Sequence, residues 1–64
     1  MSGLDAKVVE RAMKVMDSKQ KSLAQRAYEG FMRTGNKEYL AELIRLVEAV
    51  DPGAAREIGA RVRK

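Results

Sequence analysis

The apolar residues of this 64-residue chain recur at intervals of three and four, which is the period of an α-helix. Residues that favour strands are few and do not alternate with polar residues, so no stretch has the pattern of a β-strand. On a helical wheel, three stretches gather their apolar side chains on about half of the circumference, and a shorter fourth shows a thin apolar stripe. The pattern predicts an all-α protein, a small bundle of three amphipathic helices plus a short C-terminal fourth helix.

Turn and capping residues divide this single domain into four predicted helices, over residues 4–16, 20–33, 37–50 and 52–62. Asp17 and Gln20 have the spacing of a capping box, which favours a break or a sharp bend at this point. Gly35 suits a C-terminal cap with positive φ, and Asn36 suits the next N-cap. Asp51 also suits an N-cap, and the proline that follows it suits the first position of a helix.

About half of the chain shares a set of turn residues, namely Gly35, Asn36, Tyr39, Asp51 and Pro52. In these residues it resembles one helical hairpin of the tetratricopeptide repeat. The chain contains no second full copy of such a repeat, and arrays of this type need about three copies to be stable. The resemblance therefore implies an antiparallel hairpin of the second and third helices, and nothing further.

The apolar faces of the helices are expected to form the core. The predicted core residues are Leu4, Val8, Ala12, Val15, Leu23, Ala27, Phe31, Leu40, Leu43, Ile44, Val47 and Val50. Tyr28 and Tyr39 should be partly buried, with their hydroxyl groups at the edge. A core of this size seldom supplies more than roughly 3–5 kcal/mol without a disulfide, a metal or a partner. Because the chain has no Cys and no His, a partner chain is the device that remains.

Residues that could carry chemistry are scarce in this sequence. The absence of Cys and His excludes disulfides, the usual zinc sites, and thiol or imidazole catalysis. Ser18 and Lys21 have the spacing of a Ser-x-x-Lys pair, but they fall in a charged helix start where capping and solubility explain them. Glu38 and Glu42 lie one helical turn apart, and with Arg45 nearby they fit a solvated helix face. We therefore expect no enzyme activity, no cofactor and no metal.

The location of the protein is predicted from two further absences in the sequence. No apolar stretch is long enough to cross a membrane. The N-terminus does not place a basic region before an apolar stretch, as a signal peptide does. These observations predict a cytoplasmic protein that does not bind a membrane.

Wide apolar faces on so small a chain indicate that the protein binds another chain. The function predicted from the sequence is a small non-enzymatic protein-binding module, with an unidentified protein partner or as a homodimer. The size and the usage of Arg and Ala suggest a regulator, inhibitor or assembly factor of bacterial or phage type. The candidate interface residues are Val9, Met13, Met16, Met32, Tyr39, Leu46, Ile58 and Val62.

The alternative function is a small basic DNA- or RNA-binding regulator. The net charge is +4, and residues 7–26 hold six basic residues against two acidic ones. Such a stripe can neutralise phosphates. The candidate contacts are Lys7, Arg11, Lys14, Lys19, Lys21, Arg26, Arg61, Arg63 and Lys64. Protein binding is favoured because the third helix exposes Glu where a DNA-reading helix would expose Arg, Asn, Gln or Ser.

Overall fold

The computed structural model describes residues 6–62 of the chain, with side chains described through Ala60. These residues form four helices, namely α1 (Ala6–Met13), α2 (Ser18–Thr34), α3 (Lys37–Val50) and α4 (Pro52–Val62). No strand occurs between residues 6 and 62. The helices pack against each other, and the predicted class of a small all-α bundle is therefore confirmed.

The break between α1 and α2 is a tight turn followed by a capped helix start. α1 ends at Met13, three residues before its predicted end, and the N–H of Met16 donates to the carbonyl of Met13 at 3.1 Å. Asp17 Oδ1 accepts from the N–H of Gln20 at 2.8 Å, and Gln20 Oε1 accepts from the N–H of Asp17 at 3.3 Å. This reciprocal pair is the predicted capping box, and it makes α1 and α2 two separate helices.

The connection between α2 and α3 consists of two residues. Gly35 has φ 74°, and its N–H donates to the carbonyl of Phe31 at 2.7 Å, which closes the end of α2. Asn36 Oδ1 accepts from the N–H of Glu38 at 2.9 Å, which caps the start of α3. Both predicted caps are confirmed. Because so short a connection reverses the chain, α2 and α3 form an antiparallel hairpin.

A single residue, Asp51, connects α3 to α4. Its N–H donates to the carbonyl of Val47 at 2.7 Å and so completes the last turn of α3. Its carboxylate Oδ1 accepts from the N–H of Ala54 at 3.1 Å and so caps the first turn of α4. Pro52 occupies the first position of α4, as predicted, because the missing N–H of a proline would be unpaired there in any case.

The core lies around α3, which contacts all three other helices. Within the described residues α2 and α4 do not contact each other. Leu43, Val47 and Ile58 are the largest side chains with no exposed surface. The buried apolar residues are Val8, Val9, Ala12, Met16, Ala24, Ala27, Leu40, Leu43, Val47, Ala54, Ala55 and Ile58. α4 thus contributes three core residues that were not among those predicted.

Two residues predicted to lie in the core are exposed. Val15 is 63% exposed because it lies in the turn after Met13, where a helical wheel no longer gives the direction of a side chain. Leu23 is 37% exposed because α2 turns the small residues Ala24 and Ala27 towards its neighbours and leaves Leu23 at the edge of its apolar arc.

The remaining core predictions have mixed outcomes. Phe31, Ile44 and Val50 are partly buried against the core, and Leu4 lies outside the described residues. The other predicted core residues are buried, as expected: Val8, Ala12, Ala27, Leu40, Leu43 and Val47.

The two tyrosines differ in their exposure. Tyr28 is partly buried, as predicted. Tyr39 is 39% exposed, and its ring lies against the backbone of α2 at Gly30. A Cβ at Gly30 would stand 2.7 Å from two carbons of that ring, so α2 and α3 approach closely enough here that an alanine would displace the ring.

Candidate functional site

Four large apolar side chains are exposed on the described part of the bundle: Val15 at 63%, Leu23 at 37%, Met32 at 51% and Tyr39 at 39%. Single apolar residues on a surface are ordinary. Here, however, three of the four belong to the α2–α3 hairpin, which is the region with the two-residue turn. The hairpin is therefore the part of the bundle with the most candidate surface for binding.

One side of the hairpin carries a regular stripe on each helix, and we call it the α2–α3 face. Its residues are Leu23, Arg26, Gly30 and Arg33 on α2, and Tyr39, Glu42, Leu46 and Ala49 on α3. In both helices the intervals are three, four and three residues, which is the spacing of a seam between packed helices. The ring of Tyr39 against Gly30 joins the two stripes.

A shallow groove of about 390 Å³ opens on the α2–α3 face. Its lining residues are Arg26, Glu29, Gly30, Arg33 and Tyr39. The groove therefore combines an exposed aromatic ring with two guanidinium groups from the adjacent helix. Such a combination of aromatic and Arg side chains is enriched at protein interfaces.

The two helices of this face differ in charge. α2 contains four basic residues and one acidic residue, whereas α3 contains two basic residues and three acidic ones. In the part of the chain that the structure describes, Arg26, Arg33 and Glu42 take part in no ion pair. Their charges therefore face solvent and are available to a partner of complementary pattern.

A second groove, of about 250 Å³, lies between α1 and α2. Its lining residues are Ala6, Val9, Glu10, Met13, Gln25, Tyr28 and Glu29. Glu29 is held by the side chain of Gln25, whose Nε2 donates to Oε2 at 3.3 Å. Met32 stands one helical turn beyond Tyr28 on α2 and is exposed, but it is not among the lining residues of this groove. The groove therefore has apolar side chains in its lining and carboxylates at its sides.

The interface residues predicted from the sequence fall into two groups. Met32 and Tyr39 are exposed, and Met13 and Leu46 are partly buried, so these four can contribute to a surface. Three others are buried in the core of the monomer, which corrects the expectation that they lie on exposed faces: Val9, Met16 and Ile58. The side chain of Val62 lies outside the described part of the chain.

Two residues of the exposed surface, Val15 and Leu23, were missed as surface residues because the wheel analysis assigned them to the core. The sequence does contain a signal for Val15, since the capping residue Asp17 stands two positions later and requires the preceding helix to end. For Leu23 there is no such local signal, because its exposure depends on how closely α2 approaches its neighbours.

Among the predicted nucleic-acid contacts, Arg11 is engaged within the bundle. Its Nη2 lies 3.2 Å from Glu57 Oε2 and its Nε lies 3.7 Å from Asp51 Oδ2, so it joins α1 to α4 and to the α3–α4 junction. The other described candidates are exposed: Lys7, Lys14, Lys19, Lys21 and Arg26. The remaining candidates lie outside the described side chains: Arg61, Arg63 and Lys64. The central member of the predicted basic stripe of α1 is therefore exposed but already paired with two carboxylates.

Among the described residues, no group of three or more Asp and Glu side chains is arranged to hold a metal ion. None of the four helices, within residues 6–62, is long and apolar enough to cross a membrane.

Comparison with known proteins gives no relative for this chain: no protein-family model, no curated protein and no solved structure matches it. The features that bear on function are therefore the exposed apolar side chains, the two grooves described above and the surface charges.

Proposed function

We propose that this protein is a small protein-binding module that carries out no chemistry itself and acts by covering its exposed apolar side chains with a partner. The observation that carries the proposal is the exposure of Val15, Leu23, Met32 and Tyr39, which lies between 37% and 63%. Such a module would serve as a regulator, an inhibitor or an assembly factor.

A partner would gain binding free energy by covering this surface. Complete burial of a large apolar side chain contributes about 1.5–3 kcal/mol, so covering the exposed parts of several of them supports association. Met adapts its shape to different partners, and Tyr provides a large contact area at a small cost in entropy. Met32 and Tyr39 therefore provide the contact chemistry that protein interfaces favour.

The alternative, binding of DNA or RNA, has weaker support. Its predicted stripe on α1 has Arg11 at its centre, and the ion pairs of Arg11 with Asp51 and Glu57 would compete with a phosphate. The exposed basic residues of α2 still allow non-specific contacts with phosphates, which weaken steeply as salt increases. The two functions can therefore be separated by nuclease treatment, which removes DNA and RNA but leaves protein partners.

The test is capture of binding proteins from an extract of the source organism by the immobilised chain. The baits are the wild-type chain, Leu23→Lys, Met32→Lys and the control Ser22→Lys, which introduces the same charge at an exposed polar site of α2. We expect at least one protein that binds to the wild type and the control but is lost with one of the two apolar variants. Circular dichroism of each variant verifies that the bundle is folded.

Two results would contradict the proposal. The first is that the same set of proteins binds equally to all four baits. The second is that binding disappears when the extract is treated with nuclease, which indicates nucleic acid as the ligand.

A further inference from the structure

We infer that the α2–α3 face pairs with the same face of a second copy of this chain, about a twofold axis parallel to the helices. This inference rests on the proposed function, because it names the partner for one part of the apolar surface. Its basis is the register of the hairpin, the division of charge between α2 and α3, and the exposed ring of Tyr39.

The contact between Gly30 and Tyr39 sets the register of the hairpin. α2 and α3 run antiparallel, and each rises by about 1.5 Å per residue. Leu23 and Leu46 both stand seven residues from this contact, and therefore both lie about 10.5 Å from it in the same direction along the hairpin. The two leucines are level with each other on the face.

Charge distinguishes between the two twofold arrangements of such faces. An axis perpendicular to the helices lays α2 on α2 and brings Arg26 opposite Arg33, so that like charges meet. An axis parallel to the helices lays α2 on α3 of the second copy and keeps every residue at the same height along the axis. Residues that stand at the same height on α2 and α3 of one copy therefore face each other between the two copies. Arg26 and Glu42 are level to within about 1.5 Å, so each Arg26 meets Glu42 of the second copy.

The same axis accounts for the apolar residues of the face. Leu23 of each copy meets Leu46 of the other, and this contact buries the edge of α2 that the monomer leaves exposed. Tyr39 lies against Gly30 of its own chain and is level with Gly30 of the second copy, which has no side chain to obstruct the ring. The result is a four-helix bundle of two stacked hairpins, in which the contacting residues follow the three- and four-residue spacing of packed helices.

Charge reversal at Arg26 and Glu42 tests this pairing, with sedimentation equilibrium from low micromolar to millimolar concentration as the measurement. Both side chains are exposed and outside any ion pair in the described residues, so the fold should tolerate the changes, and circular dichroism verifies it. We expect wild type to dimerise, and Arg26→Glu or Glu42→Arg alone to weaken dimerisation at least about tenfold, because like charges then meet across the axis.

An equimolar mixture of the two variants provides the decisive measurement. In a mixed dimer both Glu residues of one chain meet both Arg residues of the other, so we expect the mixture to associate as strongly as wild type. The matched controls are Lys21→Glu on α2 and Glu48→Arg on α3, which make the same charge changes away from the α2–α3 face. These controls should dimerise like wild type.

The inference is overturned if wild type remains monomeric at millimolar concentration, if the controls weaken dimerisation as much as the test variants, or if the mixture stays monomeric. These results are separate from the fate of the proposed function. If the chain stays monomeric but captures a protein through Met32, the proposed function stands and only the self-pairing is refuted. If the chain dimerises but captures no other protein, the self-pairing stands and the second copy is the partner that covers this surface.

Discussion

Gly30 and Gly59 lie in the interiors of helices, and replacing each of them by alanine should affect stability differently. Gly30 lies in α2 beneath the ring of Tyr39, whereas a Cβ at Gly59 in α4 would meet no atom within 4 Å. Alanine is favoured over glycine inside a helix by about 0.8–1.0 kcal/mol. Because the added Cβ at Gly59 meets no other atom, the higher helix propensity of alanine is the only contribution to stability there. Gly59→Ala should therefore raise the free energy of unfolding by about 0.5–1 kcal/mol.

The same substitution at Gly30 adds a steric cost. The new Cβ would stand 2.7 Å from Cδ1 and Cε1 of Tyr39 and 2.9 Å from Cγ. Carbon atoms in ordinary contact are about 3.5–4.0 Å apart, so the ring must move by about 1 Å. Overpacking of this kind costs about 1–3 kcal/mol, which cancels or exceeds the gain in helix propensity. Gly30→Ala should therefore be neutral or destabilising, by up to about 2 kcal/mol.

The assay is urea unfolding of both variants, followed by far-ultraviolet circular dichroism at low concentration so that association contributes little. A double-mutant cycle with Tyr39→Ala isolates the contact, because Gly30→Ala should become stabilising once the ring is removed. The reasoning is refuted if Gly30→Ala stabilises the wild-type chain as much as Gly59→Ala does, or if its effect is unchanged by the removal of the ring.

Four further substitutions test the core, an exposed apolar residue, a cap and an ion pair by the same unfolding measurement. Leu43→Ala should cost about 2–5 kcal/mol because Leu43 is fully buried at the centre of α3, and a loss below about 1 kcal/mol would contradict its central position. Val15→Ala, at 63% exposure, should change stability by no more than about 0.5 kcal/mol. Asp17→Ala should cost about 0.5–2 kcal/mol because it removes the capping box of α2, and an unchanged midpoint would contradict that role. Arg11→Ala should cost less than about 1 kcal/mol because its ion pairs are solvent-exposed, and a larger loss would show that they hold α1 in place.

The sequence predicted the parts of the fold that depend on short-range chemistry. The side chain of Asp17 bonds to an N–H three residues later, and Gly35 adopts a backbone conformation that other residues avoid. Neither feature needs the rest of the chain, so both could be recognised in advance. The buried stripe of α3 was predicted for a related reason, since its large apolar residues have one helical period throughout.

The features that the sequence did not predict depend on packing between helices. A helical wheel assigns Val15 to the apolar side whether or not the backbone is helical there, so the early end of α1 was missed. The closeness of α2 to its neighbours depends on Ala24 and Ala27, and it decides whether Leu23 is covered. For the same reason, the wheel could not distinguish Val9 and Ile58, which are buried, from Met32, which is exposed.

The central position of α3 has a consequence for the kinetics of folding. Because α2 and α4 contact α3 but not each other within residues 6–62, these helices can assemble from contacts between neighbours in the chain. Such local topologies fold in microseconds to milliseconds, in order of magnitude. Only α1 requires long-range loop closure, since Arg11 reaches Glu57 across 46 positions. We therefore expect docking of α1 to be the late step, and amide exchange faster in α1 than in α3 would agree with this order.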